Sequence, residues 1–492
     1  MASTISFSVA WFSHNLFLMA ASSAFMAILV RAIYNLFLSP LSAIPGPWYA
    51  AVSDFWITTH VLRLQQCKII QELFEIYGPV VRIGPNKVVF RDLSTTRNVY
   101  SVHKFDKSPY YKGLLTNDND HAMTTLEHAP HSIRRKGYAP HYTPSNVAQF
   151  QSEMHEVTLE LVKTMEAMSG GGPLECLAVF RHLMVDVVVS SSYGYRLGAV
   201  SKWAVDVEDP LSTAINDFPK RGIIFVSGRV YEMRAQMNAG KIGESDKVPM
   251  LQRLLRYRYA ATNQLMPDHD IISECMGHMI AGSDTTSTSL SYFFWELSRR
   301  ADIMKKLQAE LDEAMPDAGV IPDLSVLQEL PYLNAFIKEG LRLYGAAPSA
   351  LERVVPSSTS KNGASDDVFD LMGYGVPAGT IVSTQAWSMH RDASIFSSPD
   401  TFLPERWLPS TSSAETLARM SYHMMPFGTG TRTCGGMNLA QAMMKITVSS
   451  IARNFDIVSP PETNERSMDI RDSFVVFPAA MECRLMFNPR HK

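Results

Sequence analysis

The N-terminal pattern is apolar and carries no charge. The first thirty residues contain no Lys, Arg, Asp or Glu, and Phe, Leu, Met, Ala, Ile and Val dominate from Trp11 to Val30. This stretch has about the length that a helix needs to cross a bilayer. A cleaved secretory signal would place basic residues before a shorter apolar stretch, whereas the first basic side chain here, Arg31, follows it. The pattern therefore favours an uncleaved membrane anchor over residues 1–38, with the body of the protein on the cytosolic side.

The rest of the chain has the pattern of a mostly helical protein with small sheets. Residues 80–90 form two short apolar runs around a Gly-Pro-Asn turn, which predicts two strands. Residues 147–343 are rich in amphipathic helical periods. Beyond residue 344 prolines, glycines and short β-type runs alternate, a last helix begins near Asn438, and short strands are expected in 473–486. We find no convincing linker, so we expect one folded domain over residues 39–492.

Composition narrows the possible functions. Hydrophobic residues make up 46% of the 492 positions and charged residues 19%, an ordinary globular balance that permits a large core. The formal net charge of −3 and the lack of a basic run give no indication of nucleic-acid binding. The five cysteines form no CxxC pair, which argues against a zinc site, and their sparse spacing fits a reducing compartment.

The strongest chemical signal is the sequence FGTGTRTCGG at residues 427–436. Glycines on both sides of Cys434 let the backbone approach a flat ligand closely. The thiol precedes a helical run over 439–451, so unpaired N–H groups and the helix dipole should favour its thiolate, the form that ligates iron. A buried structural cysteine is the alternative. However, the five fixed positions of Phe-x-x-Gly-x-Arg-x-Cys-x-Gly rarely coincide by chance.

This loop resembles the haem-binding loop of the cytochrome P450 family. The resemblance implies a cytochrome P450 fold, mostly α with small β-sheets, preceded by a single N-terminal transmembrane helix. It also implies haem b as the cofactor, with the cysteine as axial ligand of the iron, which makes Cys434 the metal ligand. Arg432 would then face a haem propionate, and Phe427 would pack beside the sulfur.

A second motif, AGSDTT at residues 281–286, lies inside the predicted helical stretch 271–299. These residues lower helix propensity in the middle of a helix, so something other than propensity should explain them. By resemblance, the small residues leave room above the iron, while Asp284 and Thr285 are the acid and the alcohol that pass protons to bound dioxygen. The alternative is a polar helix face whose hydroxyls bond back to backbone carbonyls.

A third pair of motifs predicts a structural ion cluster. Glu339 and Arg342 are three residues apart on one helix face, and by resemblance they form a buried triad behind the haem with Arg406 of the sequence PERW. Trp407 stands where the family more often has Phe. This change is expected to leave the triad untouched.

Further cationic residues are assigned to the haem by the same resemblance. Arg135 of the sequence HSIRR would reach a propionate, because a guanidinium matches carboxylate geometry well. His131, four residues earlier on the same helix face, and Arg353 of LERVVP would also contact the cofactor. For His131 an ordinary surface histidine is the alternative.

Together these motifs predict a membrane-anchored haem-thiolate monooxygenase. It would insert one atom of dioxygen into an apolar small molecule, a secondary metabolite. By the same resemblance, the substrate pocket would be lined by residues 105–126, 205–226, 280–285 and 346–351. The chain has no Gly-rich phosphate loop at Rossmann spacing, so electrons would come from NADPH through a separate NADPH-cytochrome P450 reductase. We expect the endoplasmic reticulum membrane as its location, with the haem-thiolate catalytic domain (39–492) in the cytosol. An isomerase or dehydratase of the same fold and a membrane-tethered haem sensor or carrier remain alternatives.

Overall fold

The computed structural model describes residues 2–207, 209, 211, 218–242, 247–357 and 368–490, with the backbone alone for 2–15 and 218–221. The α-helices of these residues are, in chain order, α1 (Ala2–Ile33), α2 (Trp48–Val52), α3 (Phe55–Leu62), α4 (Gln66–Tyr77), α5 (Leu93–Arg97), α6 (His128–Tyr138), α7 (Pro144–Gln149), α8 (Gln151–Ala167), α9 (Cys176–Tyr193), α10 (Ala199–Ala204), α11 (Phe218–Asn238), α12 (Met250–Arg256), α13 (Asp268–Arg299), α14 (Ala301–Ala314), α15 (Leu324–Glu329), α16 (Pro331–Tyr344), α17 (Ala386–Met389), α18 (Ala414–His423) and α19 (Met437–Asn454).

The strands are short and form small sheets. They are β1 (Val80–Gly84), β2 (Lys87–Phe90), β3 (Asp106–Lys107), β4 (Leu174–Glu175), β5 (Arg353–Val354), β6 (Val368–Leu371), β7 (Tyr374–Pro377), β8 (Ile381–Ser383), β9 (Phe455–Val458), β10 (Ile470–Ser473), β11 (Val475–Pro478) and β12 (Arg484–Pro489). One sheet has the order β1-β2-β8-β5-β3 and another the order β4-β12-β9, while β6–β7 and β10–β11 are hairpins. In the first sheet β2 and β8 are parallel, and β5 places Arg353 directly opposite Lys107 of β3.

Helix α13 is the central element of the helical part. It packs along α9, α11, α16 and α19. Its residues 286–297 are buried, as expected for a helix that is enclosed on every side. The Ser289 hydroxyl donates to the Tyr344 carbonyl at 3.0 Å, so a polar side chain in the core also ties α13 to the end of α16.

The N-terminal helix continues from α1 into a π-helical turn at Tyr34–Leu38. The segment Leu16–Leu38 has a mean hydropathy of 2.0 and its most apolar part is not buried in the fold, so by length and composition it is able to cross a membrane. Its end is held on the body of the protein: Asn35 is buried, and the Arg82 guanidinium donates to its carbonyl oxygen at 2.7 Å. Arg82 also donates to the carbonyls of Gly84 and Pro85. The predicted boundary between the anchor and the catalytic domain, at residue 38, therefore lies next to the contact between Asn35 and Arg82 that joins the two parts.

The structure confirms the predicted fold class, mostly helical with small sheets. The strands expected in 80–90 are β1 and β2, and the helix expected over 271–299 is α13, which begins three residues earlier. The last helix begins at Met437, close to the predicted Asn438. A second apolar helix, α9, is mostly buried, so its hydrophobicity reflects its place in the core.

Candidate functional site

Cys434 lies between a 3₁₀ turn (Gly430–Arg432) and the start of α19. Its backbone N–H donates to the Phe427 carbonyl at 2.9 Å, which closes the loop. Gly430 has φ 69°, and a Cβ at that position would collide with the backbone carbonyl of Tyr100. Glycine is therefore required there, both for the left-handed backbone and for the close contact between the two segments.

The Cys434 side chain is exposed although protein surrounds it, so it lines an internal space. In the middle of α13, Ala281 is likewise exposed, while Met279 and Ser283 on either side of it are buried. Phe427 is half-buried and packs against the main core, and its carbonyl is the group that holds the Cys434 backbone.

The electrostatics of Cys434 include an effect of burial that the sequence does not reveal. Burial raises the pKa of the thiol, and this effect outweighs the backbone N–H groups of Gly436 and Met437 and the charge of Arg135, which all act in the other direction. The N–H groups at the start of the helix therefore favour the thiolate, as expected, but burial opposes them more strongly. A coordinated metal cation is what would deprotonate the thiol, because metal binding stabilises the thiolate directly.

Cations cluster near this loop without carboxylate partners. Arg135, Arg353 and Arg432 are the residues that the sequence assigns to the cofactor, and Lys107 joins them from β3. Burial and the charges of Arg353 and Arg432 hold the pKa of Lys107 well below its usual value. Burial and Arg353 lower the pKa of Arg432 to about 10, with Asp106 acting weakly against them. Among the described residues, no carboxylate forms an ion pair with any of the four cations.

Hydrogen bonds hold each of these cations in place from the protein side. Arg432 donates to the carbonyls of Thr125 (3.0 Å) and Leu126 (2.7 Å), and Arg135 donates to that of Thr433 (2.6 Å). Arg353 donates to its neighbour's carbonyl, that of Glu352, at 2.8 Å and lies over the Tyr100 ring at 4.8 Å. Lys107 donates to the Met123 carbonyl at 2.6 Å.

Two polar nitrogens of this region are buried without a partner among the described residues, Arg432 Nε and His131 Nδ1. His131 is buried, so it is not an ordinary surface histidine. Burial, with the charges of Arg432 and Lys107, lowers the pKa of His131 to about 2, which keeps the ring neutral. Packed cations with unused donors are costly unless an anion joins them. A haem, whose two propionates are carboxylates, fits this donor set and the thiol beside it.

Asp284 forms an ion pair that its sequence motif does not reveal. Its Oδ1 lies 3.0 Å from Nε of Arg181, which comes from α9. Burial raises the pKa of Asp284, and Arg181 opposes that shift. The Asp284 carboxylate is therefore largely shielded from solvent and is paired with the Arg181 guanidinium.

Thr285 makes a different contact. Its hydroxyl donates to the Ala281 carbonyl at 2.8 Å, and Ser283 donates in the same way to Met279. This is the back-bonding expected of hydroxyls on a helix. Among the described residues no hydrogen bond joins the Asp284 and Thr285 side chains, so the two groups are neighbours that face different partners. The lone pairs of the Thr285 oxygen remain available as acceptors.

Glu339, Arg342 and Arg406 lie together and are buried. Arg342 donates from Nε and Nη2 to the two Glu339 oxygens, both at 2.8 Å, and Arg406 Nε donates to Oε1 at 3.0 Å. The remaining guanidinium protons go to backbone carbonyls between residues 390 and 401. Every charge in this ion triad therefore has a partner, as burial requires.

Trp407 takes part in this cluster, contrary to the sequence-based expectation. Its indole Nε1 donates to Glu339 Oε2 at 2.9 Å, and the Leu403 backbone N–H donates to Oε1 at 2.9 Å. Phenylalanine has no such donor. The prediction that tryptophan at this position leaves the triad untouched is wrong, because tryptophan adds a fourth side chain to it.

Sequence reasoning missed two residues. Lys107 belongs to no motif and is placed beside Arg353 only by the pairing of β3 with β5. Arg181 lies 103 residues before Asp284 in the sequence, and only the packing of α9 on α13 brings them together. Of the four stretches expected to line the substrate pocket, residues 208, 210 and 212–217 in the second lie outside the described residues.

Comparison with known proteins gives a consistent result. The family described as Cytochrome P450 matches residues 209–483, more than half of the chain. Similar proteins include Cytochrome P450 monooxygenase cypX of Dothistroma septosporum (29% identical over 91% of this chain and 91% of that protein). Tryprostatin B 6-hydroxylase of Aspergillus fumigatus is 28% identical over 89% of this chain and 79% of its own. The crystal structure of the cytochrome P450DA heme domain matches in fold with a TM-score of 0.73 at 18% identity, covering 88% of this chain and 94% of that chain.

The Trp407→Phe variant should be less stable than the wild type. Glu339 would lose one donor, and a hydrogen bond to a charged group is worth about 1.5–3 kcal/mol. Chemical denaturation of the purified protein, followed by circular dichroism, would measure this loss in the free energy of unfolding. Trp203→Phe is the matched control, because the half-buried Trp203 indole has no hydrogen-bond partner among the described residues. Equal losses in the two variants would contradict a specific role for the Trp407 indole.

Proposed function

Because this chain belongs to the cytochrome P450 family, we propose that it is a haem b monooxygenase that inserts one atom of dioxygen into an apolar small molecule of secondary metabolism. The observation that carries the proposal is the unpaired cation cluster of Lys107, Arg135, Arg353 and Arg432 beside the exposed Cys434 thiol. A group that combines two carboxylates with a thiolate-seeking metal satisfies both features, and haem is such a group.

The roles of the residues follow from their positions. Cys434 would hold the iron, and the cation cluster with His131 would hold the propionates. When bound, the haem supplies the iron at which dioxygen is activated. Phe427 would pack beside the sulfur, and glycines of the loop would let the cofactor lie close to the backbone. Glu339, Arg342 and Arg406 have a structural role, because they are buried and fully paired with one another and with backbone groups.

Proton delivery is the task proposed for α13. Asp284 has a raised pKa and a partly exposed carboxyl, so it is suited to take up and release protons. Thr285 gives its own proton to the Ala281 carbonyl, which orients the hydroxyl oxygen to accept a hydrogen bond. Its role would be to hold a proton donor in place at this face of α13, while Asp284 would replenish that donor from the Arg181 side.

Electrons and substrate come from outside the chain. We propose NADPH-cytochrome P450 reductase as the donor, because the sequence has no nucleotide-binding loop of its own. The name of one relative, Tryprostatin B 6-hydroxylase, indicates a hydroxylation of a small metabolite, and this supports a small-molecule substrate here. The Asp284–Thr285 pair favours a monooxygenase over an isomerase, a dehydratase or a haem carrier, none of which needs protons delivered to dioxygen.

The Cys434→Ser and Thr285→Ala variants test the proposed division of roles. Cys434→Ser should abolish the thiolate-type spectrum of the reduced, CO-bound protein together with activity. Thr285→Ala should keep that spectrum but slow product formation about a hundredfold, the low end of the contribution of a positioned proton relay, and release hydrogen peroxide instead. The measurements are CO difference spectra, NADPH consumption with added reductase, and peroxide and product yields.

Three outcomes would contradict the proposal. A wild-type protein without a haem spectrum would remove its basis. Substrate turnover independent of NADPH would favour the isomerase or dehydratase alternative. Identical behaviour of the two variants would show that Cys434 and Thr285 do not have the separate tasks assigned to them.

The Arg181→Gln variant should move the pH dependence of coupling. Arg181 lowers the pKa of Asp284 against the larger effect of burial, so its removal should raise that pKa further. Proton delivery that needs the protonated Asp284 carboxyl is lost as the pH rises through this pKa. The yield of product per NADPH consumed should therefore begin to fall at a higher pH in this variant than in the wild type. Arg181→Lys keeps the charge and is the control. An unshifted pH dependence in Arg181→Gln would show that Asp284 does not govern this yield.

We also propose that Leu16–Leu38 anchors the protein in the endoplasmic reticulum membrane with the catalytic domain in the cytosol. A variant lacking residues 2–33 keeps the joint between Asn35 and Arg82, so it should fold, retain the CO spectrum and leave the membrane pellet after carbonate extraction. Protease added to intact microsomes should digest the catalytic domain of the full-length protein. A protected domain, or a truncated protein that stays in the pellet, would contradict this location or this anchor.

A further inference from the structure

His390 connects two distant parts of the chain through its two ring nitrogens. On one side, Nδ1 lies 2.9 Å from the carbonyl oxygen of Arg342, in the last turn of α16. On the other side, Nε2 lies 2.8 Å from the backbone nitrogen of Met425, nine residues before Cys434. The residue is 2% exposed, so both bonds are shielded from water.

These two contacts allow only one form of the ring. The Met425 backbone can only donate, so Nε2 must accept, and the proton must then be on Nδ1, where it is donated to the Arg342 carbonyl. A protonated ring would face the Met425 N–H with a second donor. Burial lowers the pKa of His390 to about 3, with the charges of Arg342 and Arg391 acting in the same direction, so the ring is neutral, as the geometry requires.

The end of α16 to which His390 is attached is held by the ion triad. Arg342 donates to the His390 carbonyl at 2.8 Å while it pairs with Glu339, so the connection between the two residues runs in both directions. Arg391 donates to the next carbonyl of the helix, that of Leu343, at 3.1 Å. The last carbonyls of α16, which no helical N–H can satisfy, are thus capped by one rigid turn.

From Met425 the chain leads to Cys434 through two backbone hydrogen bonds. The Met425 carbonyl accepts from the Gly428 N–H at 3.0 Å, and the Phe427 carbonyl accepts from the Cys434 N–H at 2.9 Å. Met425 itself is buried with Ala386 and Met389, on the same turn that carries His390. The position of the Met425 N–H therefore fixes where the loop begins, and the loop fixes the backbone of Cys434.

We infer that His390 is a positioning residue that transmits the geometry of the ion triad to the loop of Cys434, and so sets where the sulfur meets the haem iron. This inference rests on the proposed role of Cys434 as haem ligand. Of the two hydrogen bonds made by the ring, the one between Nε2 and the Met425 N–H is the critical one, because it connects His390 to the segment that leads to Cys434.

Two substitutions separate the two contacts of the ring. In His390→Gln the longer side chain places an amide oxygen near the former Nε2, where it can accept from Met425. In His390→Asn the shorter amide occupies the former Nδ1 position and can still donate to the Arg342 carbonyl, but it does not reach Met425. The control is His423→Asn, since the half-buried His423 also places Nδ1 against a backbone carbonyl, that of Arg419, but this contact stays within helix α18.

The readouts are haem content, the ratio of thiolate-type to thiol-type CO spectrum in the full-length holoprotein, and thermal unfolding. In His390→Asn we expect this ratio to fall about fivefold, the factor that corresponds to one lost hydrogen bond. His390→Gln should restore most of it, and His423→Asn should match the wild type. A purely structural histidine would lower unfolding temperature in both variants without this difference between Asn and Gln.

The outcomes distinguish this inference from the proposed function. A wild-type protein without a thiolate-type spectrum would disprove the role of Cys434, and the inference with it. A wild-type thiolate spectrum with equal ratios in both His390 variants would overturn the inference alone. Failure of both variants to fold would also overturn it, because His390 would then support the fold rather than the position of the sulfur.

Discussion

The burial of Glu339 is the constraint on which the other features depend. Its carboxylate receives hydrogen bonds from Arg342, Arg406, Trp407 and one backbone N–H, and it is fully buried. A buried carboxylate that loses such partners destabilises a protein by several kcal/mol, so alternative packings of the segments that supply them are excluded. The same interaction therefore fixes the end of α16 and the segment leading to Trp407. Because His390 links α16 to Met425, the same interaction also constrains the position of the loop that carries Cys434.

A second charged cluster has the opposite design. The triad compensates its own charges, whereas Lys107, Arg135, Arg353 and Arg432 have no ion-pair partner among the described residues. Like charges that face each other across β3 and β5 disfavour the folded state. An anionic cofactor would remove this cost, so its binding and the stability of the fold are thermodynamically linked. One cluster compensates its charges within the protein, while the other would be completed by an anionic ligand.

Sequence reasoning succeeded where spacing encodes the contact and failed where folding creates it. Helical spacing put Glu339 beside Arg342, and the two side chains are paired in the structure. Lys107 and Arg181 carry no such signal, because strand pairing and helix packing bring them to their partners. Trp407 was found but misjudged, since a family substitution does not reveal a hydrogen bond. The effect of burial on the Cys434 pKa was not foreseen, because a helix terminus is visible in a sequence and the depth of burial is not.

The joint between Asn35 and Arg82 bears on how the protein would meet an electron donor. The buried Arg82 guanidinium donates to three carbonyls and so restricts rotation between the N-terminal helix and the rest of the protein. If that helix crosses a bilayer, it would therefore set the orientation of the catalytic domain relative to the membrane. Two proteins held in this way share a plane and search for each other in two dimensions. Much of their rotational freedom is removed before they touch, so less of it is lost when they dock. A small and weak contact surface is then enough for electrons to pass.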